Sequence, residues 1–190
     1  SIINYLLTKN KYQIFGTYRK KKSDKYLPYK FNIKSNNFKE YQVAFLKNSS
    51  SLINLTKKLK PEVIIDFASI CMVNESWKNS NIYFQINVLS KIKMIEYLSS
   101  TKFLKKYIYI STPEIFGSSK KYIEEKSQTF APQTPYATSK LSFEILLKNF
   151  QKNFSFPLII SRFSNFYGPG QPLYRLIPKL IFCIDNNKKF

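Results

Sequence analysis

The chain has 190 residues, 31 Lys+Arg against 11 Asp+Glu for a formal net charge of +20, and no histidine. A hydrophobic fraction of 44% with 17% aromatic residues can build a core and excludes wholesale disorder, and the length suits one domain or most of one. Within these residues, histidine-based catalysis and zinc sites that need imidazole are excluded.

Taken in chain order, Ser1 to Lys9 reads as the later part of a helix, with Ile2, Ile3, Leu6 and Leu7 on one face. Tyr12 to Tyr18 is a short apolar strand, followed by a polar, basic loop from Arg19 to Lys25, and Tyr29 to Ile33 reads as another strand. Ser51 to Leu59 has helical spacing and is stopped by Pro61. Val63 to Ala68 is a continuous apolar run, as a parallel strand buried on both faces would be. Ile82 to Leu98 is a long helix with apolar positions at Ile86, Leu89, Ile92 and Ile95. Tyr107 to Ser111 is a further buried strand, followed by a loop rich in Lys, Glu, Ser and Pro. A helix from Pro135 to Phe150 starts with proline in its first turn. Leu158 to Arg162 is a strand, then come a Gly/Pro loop and a helix from Leu176 to Ile184.

This alternation predicts an α/β fold, a Rossmann-like doubly wound parallel sheet expected to be truncated at both ends. Residues 1–190 then form a partial NAD(P)-binding domain, with a substrate-binding region starting at about 164–190. The four glycines are Gly16, Gly117, Gly168 and Gly170, so no G-x-x-G-x-x-G phosphate turn is present. These residues alone are therefore expected to be inactive. Ligands in such sheets sit beyond the carboxyl ends of the strands, which points to Thr17–Arg19, Phe67–Ser69, Ser111–Gly117 and Arg162–Gly170.

The charge itself suggests a nucleic-acid binder, but arginine occurs only at Arg19, Arg162 and Arg175. Groove readers favour Arg, whose fork matches guanine and phosphate edges. Scattered lysine reads instead as a solvated surface, and Arg19–Lys22 as an exposed loop, so no specific nucleic acid is expected as a partner. Cys71 and Cys183 are in no metal-ligand spacing and are expected to be two buried free thiols of a cytoplasmic protein, with no metal. The longest nearly apolar run, Val63 to Val73, is broken by Asp66 and too short to span a bilayer. The start of the chain lacks a charged-then-apolar signal pattern. No membrane partner is expected.

Three segments carry candidate chemistry. In Tyr136-Ala-Thr-Ser-Lys140 the two side chains share a helix face. An ammonium there favours the tyrosinate, lowering the phenol from its usual ~10 so that it removes a proton from an alcohol while hydride leaves the carbon. The spacing alone is weak, since Tyr5/Lys9, Tyr18/Lys22, Tyr26/Lys30 and Tyr122/Lys126 share it; position after Pro135 and downstream of a hydroxyl-bearing strand exit selects Tyr136. That exit places the Ser111 and Thr112 hydroxyls where they can orient a substrate alcohol, with Glu114 in the same loop. In Arg162-Phe-Ser-Asn165-Phe-Tyr-Gly-Pro-Gly-Gln171, Asn and Arg leaving a strand can hold phosphate or sugar hydroxyls.

Together these segments resemble the extended short-chain dehydrogenase/reductases of the NAD-dependent epimerase/dehydratase family, most closely the dTDP-glucose 4,6-dehydratases and their relatives. The family's S-T-D-E-V-Y-G is similar to Ser111-Thr-Pro-Glu-Ile-Phe-Gly117, its P-x-x-P-Y-x-x-S-K to Pro132–Lys140, and its R-x-S-N-x-Y-G-P-x-Q with L-I-P to Arg162–Gln171 and Leu176–Pro178. Its K-P-D-x-V-x-H-L-A-A resembles Lys60–Ser69, and its N-V resembles Asn87-Val88. The resemblance implies Tyr136 as the base that oxidises the sugar at C4 and Lys140 as holder of the nicotinamide ribose. It implies that Thr112 hydrogen-bonds the reacting hydroxyl and that Glu114 removes the C5 proton. Asn165 and Arg175 would contact the nucleotide diphosphate. Phe67, Ala68, Ser69 and Asn87 would line the cofactor, with Asn32 and Ile33 beside adenine.

Pro113 stands where dTDP-glucose dehydratases keep an aspartate as acid for the C6 hydroxyl, and proline has no proton to give. GDP-mannose dehydratases also lack that aspartate, and UDP-glucuronate decarboxylases share S-T-x-E. Thr17 replaces the acid that reads the ribose 2′-hydroxyl, with Arg19 close by, so NAD is the expected cofactor and NADP is possible. The implied function is nucleotide-sugar dehydration, acting on a nucleotide-diphosphate sugar. The alternatives are a C4 epimerase or decarboxylase of the same family, an inactive fragment, and a basic nucleic-acid binder. The family also implies a homodimer through the helices at 82–98 and 135–150.

Overall fold

The computed structural model describes residues 2–19, 37–43, 49–120 and 122–189. They divide into two compact units, one of residues Ser1–Val43 with Asn165–Phe190 and the other of Ala44–Ser164.

The larger unit is built on three parallel strands in the order β3 (Val63–Asp66), β4 (Lys106–Ser111) and β5 (Leu158–Arg162). Register puts Asp66 beside Tyr109 and Ser111 beside Arg162, so the polar carboxyl ends of adjacent strands are neighbours. β3 is shorter than the apolar run suggests, because the Asp66 carboxylate accepts from the Ala68 N–H at 2.9 Å and turns the chain out of the sheet.

Helix α2 (Ser50–Leu59) ends on Lys60, which is left-handed at φ 45 and returns its N–H to the Thr56 carbonyl. A short helix α3 (Val73–Lys78), unforeseen in the sequence, follows β3. The long helix expected over 82–98 is three stretches: α4 (Ser80–Phe84), a π turn over Gln85–Leu89, and α5 (Ser90–Ser99). The widened turn carries Asn87, which is fully buried. Helix α6 (Pro135–Phe154) starts where Thr134 Oγ1 accepts from the Ala137 N–H at 3.1 Å, has proline in its first turn, and stops on left-handed Ser155. It runs one turn beyond the expected Phe150.

The core lies between α5, α6 and the sheet. Ile95, Leu98, Phe143 and Leu147 are at most 1% exposed and pack with Tyr107, Tyr109, Phe156 and Leu158. Each such side chain contributes roughly 1.5–3 kcal/mol by leaving water.

In the smaller unit, helix α1 (Ile2–Thr8) precedes β1 (Ile14–Tyr18), which pairs in parallel with β2 (Phe38–Gln42). β2 was not expected; the strand expected over Tyr29–Ile33 lies outside the described residues. Gly16 faces the Phe38 ring, where a Cβ would sit 3.1 Å from Cζ. Helix α7 (Leu176–Asp185) follows, with Cys183 its one buried residue. Of the two thiols expected to be buried, Cys183 is and Cys71 is exposed, because Cys71 lies on the outward loop after β3.

Candidate functional site

Within the larger unit the carboxyl ends of β3 and β4 meet the start of α6. The Thr112 hydroxyl is the group that favours the ionised Tyr136 phenol, and the Thr112 oxygen accepts from the Glu114 N–H at 3.3 Å and so caps the 3-10 turn Pro113–Phe116. Thr112 and Tyr136 are both buried. Tyr83 of α4 stacks edge-on to Tyr136, ring centres 6.4 Å apart, and its hydroxyl donates to the Met72 carbonyl at 2.5 Å. One hydroxyl expected at the cleft turns elsewhere: Ser111 is buried and faces Glu144.

Lys140 is 2% exposed, one turn along α6 from Tyr136. Its Nζ donates to the Ile110 carbonyl at 2.6 Å and lies 4.4 Å from the centre of the Tyr109 ring. Burial, and then repulsion from Lys91, lower its pKa to about 7, against the attraction of Asp66, Cys71 and Glu144. Tyr136 moves opposite to the sequence expectation. Burial pushes its phenol up to about 12; the Thr112 hydroxyl pulls it down, and Cys71, Glu114 and Tyr83 push it further up. Lys140 is directed to the strand carbonyl and to the Tyr109 ring. Glu114 is exposed at the rim of a cleft of about 200 Å³ lined by Gly117, Ser118, Gln133 and Thr134, and partial burial raises its carboxyl pKa.

Behind the site lies an ion pair that no spacing or motif predicts. Lys91 of α5, 3% exposed, sits 2.7 Å from Asp66 Oδ2, and the Tyr107 hydroxyl donates to the same oxygen at 2.9 Å. The Lys91 ammonium is capped by the rings of Tyr109 and Phe143 at 5.5 and 5.1 Å.

The residues present fit the nicotinamide-ribose half of a dinucleotide: a lysine, a phenol and a threonine hydroxyl, all buried, at the carboxyl ends of parallel strands. A model of the GDP-mannose 4,6 dehydratase family matches residues 1–189. The chain belongs to that family. Among its relatives, the dTDP-D-glucose 4,6-dehydratase of Dictyostelium discoideum is 34% identical over 168 residues, covering 83% of this chain and 38% of the relative. The Homo sapiens enzyme of the same name is 30% identical over 130 residues, covering 68% of this chain and 37% of the relative. Among solved structures, UDP-glucuronic acid 4-epimerase from Bacillus cereus, in complex with UDP-glucuronic acid and NAD, superposes with TM-score 0.82 at 25% identity, covering 98% of this chain and 59% of that one. A dTDP-glucose 4,6-dehydratase from Bacillus anthracis in complex with NAD gives TM-score 0.81 at 24% identity. The chain thus spans well under two thirds of these relatives' lengths. The Rossmann-like doubly wound fold read from the strand–helix alternation holds.

The other positions that family membership singles out are distributed as follows. Phe67 is half exposed, and Ala68 and Ser69 are partly buried on the loop leaving β3. Asn87, expected to line a cofactor, is instead fully buried, with its amide spent inside the protein. Its Oδ1 accepts from the Ile70 N–H at 3.0 Å, and its Nδ2 donates to the Ile70 carbonyl and to Ser139 Oγ. Ser139 in turn donates to the Tyr136 carbonyl at 2.7 Å, so Asn87 ties the β3 exit to the start of α6. In the smaller unit, Arg19 is exposed at the end of β1, with its carbonyl accepting from Gln42 Nε2 at 3.2 Å. Asn165 is exposed there, and Arg175 flanks α7 with its guanidinium 5.4 Å from the Tyr174 ring. Asn32 and Ile33 lie outside the described residues. Among the described residues no cluster of three His, Cys, Asp or Glu side chains could hold a metal, and no helix is long and apolar enough to cross a membrane.

Proposed function

We propose that this chain carries the catalytic core of an NAD(P)-dependent nucleotide-sugar 4,6-dehydratase. The observation that carries the reading is Tyr136 within reach of the Thr112 hydroxyl at the β4 exit, with Lys140 one turn along and Glu114 on the adjoining cleft. When bound, NAD(P) supplies a hydride acceptor for the sugar C4, a positive charge beside the phenol, and the hydride that is later returned.

The chain's own residues then divide the work. Lys140 spends one N–H on Ile110 and one face on Tyr109, leaving an ammonium to hold ribose hydroxyls. Thr112 orients the C4 hydroxyl, and Tyr136 takes its proton. Lifting the phenol from 10 to about 12 makes its ionisation harder by roughly 3 kcal/mol, so Tyr136 stays protonated until cationic charge stands next to it. That keeps the base silent in the empty site. Glu114 then takes the C5 proton; the C–H electron pair becomes the C5–C6 double bond, and the C6 oxygen leaves as water with a proton drawn from solvent, since Pro113 has none to give. Return of hydride to C6 and of the proton to C5 completes a net loss of one water.

The cleft beside Glu114 is lined by neutral groups and this carboxyl, with no cation among the described residues. Such a lining suits a neutral hexose and repels a uronate carboxylate, which favours dehydration over uronate epimerisation or decarboxylation. Pro113 supports the second reading, a C4 epimerase that needs no acid at C6. In either case Arg19, Phe67, Ala68 and Ser69 would contact the dinucleotide, and Asn165 and Arg175 the diphosphate of the substrate. A homodimer would form through α4–α5 and α6, on which Ile82, Leu89 and Ile145 are exposed. A cytoplasmic setting, where thiols stay reduced, belongs to the same proposal.

Product mass decides between the readings. The full-length chain with NAD and a panel of nucleotide hexoses should release a product lighter by one water. An unchanged mass assigns an epimerase, loss of carbon dioxide a decarboxylase, and no conversion of any nucleotide sugar refutes both readings.

A further inference from the structure

The connection from β4 to α6 carries Glu114, yet the groups that hold this connection in place come from other elements. Glu144, about two turns beyond Tyr136 on α6, is 0% exposed. Arg162, at the end of β5, meets it with two nitrogens, Nε at 3.2 Å from Oε2 and Nη2 on Oε1. Lys148 approaches Oε1 at 3.3 Å. Burial alone would raise the Glu144 carboxyl, but Arg162, Ser111 and Lys148 beside it outweigh burial and hold it below the usual range. The remaining guanidinium nitrogen, Nη1, donates to the Glu125 carbonyl at 3.3 Å.

The flat of the same guanidinium covers Phe116 at 5.2 Å and Phe130 at 5.8 Å, and these rings stack on each other at 5.6 Å and 30°. Phe116 belongs to the arm 113–117 that holds Glu114, while Glu125 and Phe130 belong to the returning arm. The arms are joined by the Ala131 N–H donating to the Ile115 carbonyl at 3.0 Å. They also pack tightly at Gly117, whose φ is +67 and where a Cβ would lie 2.2 Å from the Ala131 oxygen. All three nitrogens of Arg162 are therefore on protein acceptors, so the arginine that the sequence offered for phosphate is committed elsewhere.

We propose that Glu144 and Arg162 are positioning residues for Glu114: a buried carboxylate on α6 fixes an arginine that clamps both arms of the loop and sets where the Glu114 carboxyl stands at the sugar C5. The geometry needs arginine, because only a planar fork can bind a carboxylate with one edge, a carbonyl with another and two rings with its face. Lysine offers a point charge with no face. The inference rests on the dehydratase reading, in which Glu114 acts only after oxidation at C4. Loosening the loop should therefore spare the first step and slow the second.

The test uses the full-length chain carrying Arg162→Met, Arg162→Lys or Phe130→Leu; the last keeps the ion pair and serves if the arginine variants fold poorly. With NAD and dTDP-glucose, reduced-nicotinamide absorbance follows oxidation, and mass spectrometry follows loss of water. Oxidation is expected within a few-fold of wild type, with dehydration down by about 10²-fold for both arginine variants and Lys recovering little. Equal loss of both steps, or undiminished dehydration, would overturn the proposal. A second readout needs no turnover: amide hydrogen exchange at Gly117 and Ala131 should speed up by about tenfold or more in each variant. Unchanged exchange there contradicts the clamp even if the wild type never oxidises a sugar, an outcome that would sink the dehydratase reading alone.

Discussion

Replacing Lys140 with Met exposes the energetic cost of the buried ammonium. Burial first, and the Lys91 charge second, bring this lysine from 10.5 down to about 7. Because the folded pKa lies below the unfolded one, the unfolded chain binds the extra proton between pH 7 and 10.5, and stability rises with pH across that window. Below it both states are charged and the full penalty is felt; above it both are neutral and the penalty is gone. A shift of roughly 3.5 units at ~1.4 kcal/mol each makes the penalty about 5 kcal/mol, of which about 4 remains near neutral pH. Methionine fills the same channel without charge, and the lost bond to Ile110 adds only a pH-independent offset. Urea melts of Lys140→Met and wild type should therefore differ by an amount that shrinks by about 4 kcal/mol between pH 7 and 10.5. Taking the difference also cancels Tyr107 and Tyr109, whose phenols burial holds well above their usual value. A difference that stays flat with pH would mean that the ammonium is hydrated and that the packing around it is wrong.

Asp66→Asn leaves Lys91 buried without its counter-charge and should cost about 3–5 kcal/mol, whereas Asp66→Leu with Lys91→Met should be near neutral, which a double-mutant cycle of denaturant melts reads directly. Gly117→Ala forces a side chain into a left-handed backbone against the Ala131 carbonyl, and calorimetry should find it destabilised by about 2 kcal/mol or more. Exposed Cys71 should react with maleimide in the native protein while buried Cys183 reacts only on unfolding. Because the Cys71 thiol lies within electrostatic reach of Tyr136 and Lys140, NAD should slow its reaction, as peptide mapping would show.

The parts of the fold legible in the sequence are those written in short range. β5 spans the expected Leu158–Arg162, and α6 starts at the proline that marks it. That Tyr136 sits in the first turn of α6 was likewise legible, from the proline before it. What stayed hidden depends on contacts far apart in the chain. Lys91 was one lysine among many on what read as a solvated surface, and Lys140 was singled out only as the helix neighbour of Tyr136; both are buried, one beside Asp66 and the other on the Ile110 carbonyl. Arg162 looked available for phosphate because its partner Glu144 lies on a different element. The direction of the Tyr136 shift was misread for the same reason: spacing places Lys140 on the phenol's face of the helix, but only tertiary structure shows the burial that pushes the phenol up. The π turn at Gln85–Leu89 had no signal in the apolar period, although a lone Asn inside an apolar helix face was a visible anomaly. β2, Phe38-Lys-Glu-Tyr-Gln42, carries no apolar alternation that would mark it as a strand.

The most direct test of the central claim is rapid mixing of the NAD-loaded full-length chain with dTDP-glucose, following reduced nicotinamide in wild type and in Tyr136→Phe. The account predicts a transient in the wild type and an oxidation rate lower by about 10²-fold or more once the phenolic oxygen is gone. Equal transients in the two proteins would show that another group takes the C4 proton, and the role assigned to Tyr136 would be wrong.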